Sequence, residues 1–149
     1  MEEKTLVLIK PDAMIKKLAG NIINELYNLN LKMIGLKLIN VKKDLAEKHY
    51  KEHKDKHFFE ELIKYITGEL HNNENVIAIV YKGEKAIEKI RKLIGETNPD
   101  KAYPNTLRGK YGKIHSINKY HETVVHASDS IENAKKEISL WFKEEELVK

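Results

Sequence analysis

The sequence predicts an α+β fold of the ferredoxin-like type, a βαββαβ chain whose four strands form an antiparallel sheet. An inserted helical pair and a C-terminal helix are added to it. Three observations predict this fold. Four short apolar runs have strand-like patterning, amphipathic stretches alternate with them, and 149 residues suffice for one domain with one core. No repeat, linker or composition break divides the chain, so residues 1–149 are read as a single domain.

Thr5–Leu6–Val7–Leu8–Ile9 is a continuous apolar run, as expected of a strand buried on both faces, and Pro11–Asp12 ends it. Leu18, Ile22, Ile23, Leu26 and Leu29 recur at helical spacing and predict an amphipathic helix over 18–29. Met33 to Val41 alternates like a strand. Asp44 is placed to cap a helix over 45–53, and a second is expected over 58–66. Gly68 to Asn75 is a polar loop. Val76 to Tyr81 is the third strand, and Glu84 to Ile94 is a helix ending at Gly95. A long irregular stretch follows from Glu96 to about Glu122, and segments of this length in compact domains tend to be functional. Thr123–Val124–Val125 is read as a short fourth strand. The last helix starts at Asp129 or Ser130, where Asp129 and Glu132 have capping-box spacing.

Composition excludes several function classes. With no Cys there are no disulfides, Cys-ligated zinc or thiol catalysis. No apolar run approaches the roughly 20 residues that cross a bilayer, and Met1–Glu2–Glu3–Lys4 does not open a secretory signal, so a cytoplasmic protein is expected. The formal charge of +4 suits an anionic substrate; with 7% aromatic residues and no basic stripe it argues against nucleic acid. Arg occurs only at Arg91 and Arg108, so 25 of the 27 basic residues are Lys. Two arginines surviving so strong a bias point to positions that need the planar, five-donor fork of a guanidinium.

Chemistry is expected where elements end. Lys10 closes the first strand, Arg91 lies on a helix, and Thr97 and Arg108 lie in the long loop. His126 closes the last strand before Ala127–Ser128–Asp129–Ser130. A neutral imidazole near a helix N-terminus is a competent nucleophile for a phosphoryl group. By position alone, though, a half-buried histidine bonded to a backbone carbonyl is the commoner arrangement. His49, His53 and His57 recur every fourth residue, but lysines crowd the stretch and no carboxylate pattern completes a metal site. In the Lys-rich segment Lys82–Lys92, Glu84 and Glu88 precede Lys at i+4, which reads as a solvated helix face.

Thr5–Ala13 (TLVLIKPDA), Gly95–Pro99 (GETNP), Thr106–Gly109 (TLRG) and His126–Ser130 (HASDS) occur in one order along the chain. Together with His49–Tyr50, Phe58–Phe59 and Glu137–Phe142, they closely resemble the nucleoside diphosphate kinase family. The resemblance implies transfer of the γ-phosphate of a nucleoside triphosphate to a nucleoside diphosphate, with Mg²⁺, by a ping-pong route through a phosphohistidine matching His126. It implies that Lys10 contacts the transferring phosphate and the ribose hydroxyl, and that Tyr50 helps position the histidine and the phosphate. Phe58 is then the aromatic on which the base stacks, with Leu62 in the same slot, and base selectivity is low. Arg91, Thr97 and Arg108 match the residues that hold the phosphates, Glu137 the carboxylate behind the histidine, Ser128 its helper, and Asp129 an outer partner of Mg²⁺. A homo-oligomer is implied, a hexamer foremost, with tetramer or dimer as alternatives.

This chain departs from the family at three residues and in two loops. Thr123 replaces the usual Asn three residues before the histidine, which predicts weaker nucleotide affinity or an altered sugar preference. Lys110 replaces the usual Asp, and Lys16 an expected Arg, so an acid–base contact made there is lost or rearranged. Loops are lengthened at Gly68–Asn75 and between Gly109 and Thr123. The competing functional reading is a nucleotide-binding regulatory module with little turnover.

Overall fold

The strand that reads most clearly in the sequence is also central to the sheet. The protein is described from a computed structural model, which covers residues 2–114 and 120–149. Strand β1 (Glu2–Ile9) pairs antiparallel with β3 (Val76–Glu84), Glu2 opposite Glu84 and Ile9 opposite Ile77. On its other side lies β6 (Val125–Ala127), with Leu8 opposite His126. With β2 (Lys32–Ile39) outside β3, the sheet order is β2-β3-β1-β6, antiparallel throughout, as the ferredoxin-like reading expects.

Both faces of the sheet are covered at β1, which is why it reads as an unbroken apolar run, whereas Leu36 and Leu38 of the outer strand β2 are exposed. Leu6 and Leu8 face one layer, built with α3 (Lys43–His49), α4 (Phe59–Ile66) and α7 (Ile131–Trp141) and including Ala46, Ile63, Ile66 and Trp141. Val7 and Ile9 face the other, with Ile22 and Leu26 of α2 (Ala19–Tyr27) and Ile90 and Ile94 of α5 (Ala86–Ile94). The inserted pair and the last helix therefore bury the face that a bare βαββαβ unit would leave wet.

The structure differs from the sequence reading in several places. A short helix α1 (Pro11–Ile15) follows β1 at once; Pro11 sits at its first position, where a missing N–H costs nothing. Asp44 is not a cap. Lys42 holds that place without a side-chain bond, and Asp44 lies in the first turn. The helix expected over 45–53 ends at His49 and gives way to a 3₁₀ turn at Lys51–His53, so the three spaced histidines do not share one helix. The stretch read as irregular holds a 3₁₀ turn at Pro99–Lys101, helix α6 (Leu107–Tyr111) and a small hairpin of β4 (Lys113–Ile114) with β5 (His121–Glu122). The rest of that lengthened loop, 115–119, lies outside the described residues. The last strand begins at Val125, not Thr123, because Val124 takes a left-handed φ of 56° that no strand continues through. Ser130 caps α7 by accepting from Asn133 N–H, while Asp129 takes the Asn133 side-chain amide instead, so the Asp129–Glu132 capping box does not form.

The C-terminal residues close over β2. Val148 N–H donates to Ile34 carbonyl at 2.8 Å, and a Cβ on Gly35 would meet Leu147 at 2.6 Å. None of the helices is long and apolar enough to cross a membrane.

Candidate active site

The end of β1 delivers Lys10 into a cleft under the turn that precedes His126. Its backbone N–H donates to Val124 carbonyl at 2.8 Å, and its side chain, only 6% exposed, sends Nζ to Thr123 Oγ1, also at 2.8 Å. The ammonium also lies 4.8 Å from the centre of the Tyr65 ring. Burial, and then the nearby Arg108 cation, lower its pKa to about 7, with Asp12 opposing.

Asp12, fully buried, is the bracket for that turn. Its Oδ1 accepts from Tyr65 O–H at 2.7 Å and its Oδ2 from Val124 N–H at 3.2 Å, while Tyr65 oxygen accepts from Thr123 N–H at 2.9 Å. These bonds hold Val124, a β-branched residue, at a φ of 56° where it would not otherwise rest. The reversal at 123–124 turns Thr123 toward Lys10 and starts β6 with Val125. His126 follows.

The ring of His126 is fixed from behind. Nε2 lies 2.9 Å from Glu137 Oε1 on α7, and the same oxygen accepts from Ser128 O–H at 2.8 Å. Ser128, fully buried, in turn accepts from Leu6 N–H at 3.2 Å, so the carboxylate is tied to the centre of the sheet. A carboxylate only accepts, so the imidazole proton belongs on Nε2 and the lone pair on Nδ1. Burial, then the cations Lys10, Arg108 and Arg91, lower the His126 pKa to about 3, which keeps the ring neutral at physiological pH. Burial pushes the Glu137 carboxyl up, against the pull of the Ser128 bond.

Around His126 a cavity of about 1080 Å³ opens. Eleven of the twelve residues singled out from the sequence line it: Lys10, Tyr50, Phe58, Leu62, Arg91, Thr97, Arg108, Thr123, His126, Asp129 and Glu137. The exception, Ser128, works behind the wall through Glu137. The Tyr50 hydroxyl is buried with no hydrogen-bond partner among the described residues.

The two arginines are held differently. Arg91 is exposed on α5 and makes one long bond, 3.4 Å, from NH1 to Ala127 carbonyl. Arg108 is buried, and its Nε, NH1 and NH2 donate to the carbonyls of Thr123, Gly95 and Val125 at 3.4, 3.2 and 2.9 Å. Three of its five N–H groups thus hold the walls of the site together, which leaves two for an anion. Gly95, with φ of 89°, packs so closely on Thr106 that an added Cβ would come within 2.5 Å of its hydroxyl. The loop carrying Thr97 is thereby pressed onto the start of α6, which carries Arg108.

Departures from the family pattern have acquired partners. Lys16 donates to Glu122 Oε2 at 2.8 Å, and Lys110 to Glu25 at 2.6 Å, so the contact is rearranged. Glu122 is buried and also meets His71 Nε2 at 3.0 Å. Burial pushes its carboxyl up, but the bonds from His71 and Lys16 more than offset this and hold it below the ordinary value.

Sequence reasoning missed Asp12, Tyr65, Glu122 and the place of His49 in the site. Among the described residues, one group has metal-ligand spacing. It is not the three spaced histidines but His49 with His126 and Glu137, whose ligand atoms lie within 4.8 Å of one another. His53 and His57 instead flank Phe58, at 5.5 and 5.4 Å between ring centres.

A model of the nucleoside diphosphate kinase family matches residues 3–147. The nucleoside diphosphate kinase of Pyrococcus furiosus is 48% identical over 145 residues, which are 97% of this chain and 86% of that protein. Among solved structures, the halophilic enzyme of Halobacterium salinarum in complex with CDP superposes with a TM-score of 0.88 at 36% identity, covering 100% of this chain and 93% of that one. A transition-state mimic of the Borrelia burgdorferi enzyme, with bound vanadate and ADP, superposes with a TM-score of 0.87 at 33% identity, covering 99% and 91%.

Proposed function

The chain belongs to the nucleoside diphosphate kinase family, and from that premise we propose that its transfer runs in two halves through His126. The protein is a phosphotransferase, moving the γ-phosphoryl group of a nucleoside triphosphate to a nucleoside diphosphate. The ping-pong route and the roles of the residues are the proposal, and one observation carries it. The imidazole has Nε2 committed to Glu137 and its remaining lone pair, on Nδ1, in a cavity that also holds Lys10, Arg91 and Arg108.

In the first half, Nδ1 attacks the γ-phosphorus as the bond to the bridging oxygen breaks, and the electron pair leaves on the nucleoside diphosphate. Negative charge builds on the equatorial and leaving oxygens, where the cations and the Tyr50 hydroxyl stabilise it without reorganising. Glu137 stabilises the imidazolium as Nδ1 becomes bonded to phosphorus. The second half is the reverse with another diphosphate. Phe58 and Leu62 take the base on its face and read no hydrogen-bonding edge, hence the low base selectivity.

Glu52, Glu61, Asp129 and Glu137 line the cavity; Glu137 is committed to His126, and one oxygen of Asp129, three residues after it, already accepts from Asn133 at 2.6 Å. That donor set does not cage an ion but fits Mg²⁺ carried in on the nucleotide phosphates, with Asp129 as an outer partner. When bound, the ion neutralises phosphate charge. A cytoplasmic homo-oligomer, a hexamer foremost, completes the proposal.

The test is to incubate the protein with γ-labelled ATP and Mg²⁺, remove nucleotide, and look for acid-labile label on His126. Label that disappears in His126→Ala and discharges into GTP on adding GDP supports the route. No label on a folded, nucleotide-binding protein points instead to the regulatory module.

A further inference from the structure

Trp141 is buried behind the wall of the cavity, and its indole N–H donates to His49 Nδ1 at 3.0 Å. An indole nitrogen only donates, so Nδ1 of His49 must supply a lone pair, and in the neutral ring the single proton sits on Nε2. His49 lines the cavity, and its ring meets that of His126 edge to face, centroids 4.5 Å apart and planes at 77°. On its other flanks it packs edge to face on Tyr50 at 4.7 Å and Trp141 at 5.4 Å, so it cannot turn over without disturbing both.

We propose that Trp141 and His49 are a positioning pair for the nucleophile, in which the indole fixes His49 as an Nε2–H donor beside Glu137 and His126. The Nε2–H dipole lies within 4.8 Å of the Glu137 carboxylate, without a direct bond to it, and favours its anionic form; an accepting Glu137 keeps the proton of His126 on Nε2. The lone pair of His126 is thereby held on Nδ1. The line runs from a buried tryptophan through His49 and the Glu137 carboxylate to His126, with the indole setting the tautomer of the first ring and the carboxylate that of the second.

The same proton placement weakens the cluster of His49, His126 and Glu137 as a metal site. A cation needs lone pairs. At His49 the Nδ1 pair is taken by the indole and Nε2 carries a proton; at His126 the Nε2 proton is shared with Glu137. Trp141 thus takes His49 out of the donor set that a zinc-like ion would need, leaving Nδ1 of His126 and the oxygens of Glu137.

The pair rests on the reading of His126 as the phosphorylated residue, and the experiment separates the two. Long-range ¹H–¹⁵N NMR of the wild-type protein is expected to place the His49 proton on Nε2; a proton on Nδ1 overturns the proposal, whether or not ATP labels His126. His49→Phe keeps a packed ring but loses both nitrogens, whereas His49→Gln restores an N–H donor at the Nε2 end. In single-turnover phosphorylation by ATP, His49→Phe should be slower by about tenfold at saturating nucleotide, as the N–H dipole facing the carboxylate is lost, and His49→Gln should recover most of it. His49→Phe at the wild-type rate, or His49→Gln no faster than His49→Phe, overturns it. Trp141→Phe should mix the His49 tautomers and make the enzyme more sensitive to Zn²⁺; where that variant fails to fold in a thermal melt, the His49 series and the wild-type spectrum decide. Absence of label on wild-type protein would sink the phosphohistidine reading and leave the tautomer measurement standing.

Discussion

Lys10 Nζ donates to Thr123 Oγ1 at 2.8 Å, joining the end of the first strand to the residue three positions before His126. The hydroxyl that stands in for the family's amide is thus occupied with the lysine. Thr123→Val keeps the shape and removes the acceptor. It should lower kcat/KM by about tenfold and stability by roughly 1–3 kcal/mol, read in steady-state kinetics and urea unfolding. Thr123→Asn should lower KM for ribo- and deoxyribonucleotides; an unchanged KM for both would rule out the affinity deficit expected from the sequence.

Lysine substitutions should separate the two arginines. Arg91→Lys, on an exposed helix face, is expected to reduce kcat/KM by about tenfold or more and leave the melting temperature unchanged. Arg108→Lys should do the same to activity and also destabilise the fold by roughly 2 kcal/mol, because a single ammonium nitrogen cannot span the three carbonyls that the planar fork reaches. Equal melting curves for the two variants would contradict the role given to Arg108.

The depressed pKa of Lys10, about 7, has a signed consequence for binding. At pH 8 the free protein holds this amine mostly neutral, and arriving phosphates raise its pKa and draw a proton in. Nucleotide binding at pH 8 should take up close to one proton per site, and affinity should fall as pH rises above 7; at pH 6 the amine is already charged and uptake disappears. Calorimetry in two buffers of different ionisation enthalpy measures this directly.

Glu122→Gln should destabilise the protein by on the order of 3 kcal/mol at neutral pH, since it leaves Lys16 and His71 facing an uncharged amide in a buried place. The carboxyl is held below its ordinary value of 4.5, so its contribution is fully present above that pH. It is lost as pH falls through the lower folded-state pKa. Denaturant titrations of both proteins should converge in acid. A gap that stays constant to pH 3 would refute the assignment.

How much of this was legible depended on distance along the chain. Strands β1 and β3 were readable because burial on both faces leaves an unbroken apolar run, β2 because its residues alternate, and the arginines because composition had removed the others. The site motifs were readable because each is a short local string. What escaped were pairings across the chain: Asp12 with Tyr65 is 53 residues apart, His49 with Trp141 92, and Lys16 with Glu122 106. No local period reports such pairs. Val124 escaped for a different reason. A valine in an apolar run reads as strand, and only the carboxylate of Asp12, from the far end of the sequence, makes its left-handed backbone tolerable.

The unpartnered hydroxyl of Tyr50 has a consequence for how this protein can be improved. A buried O–H without an acceptor weakens the empty protein, and a ligand oxygen that reaches it does not first have to break a bond within the protein. Tyr50→Phe should therefore melt at the same temperature as the wild type or higher, yet gain less from added nucleotide. A screen for thermostability alone would select it and discard catalysis with the oxygen.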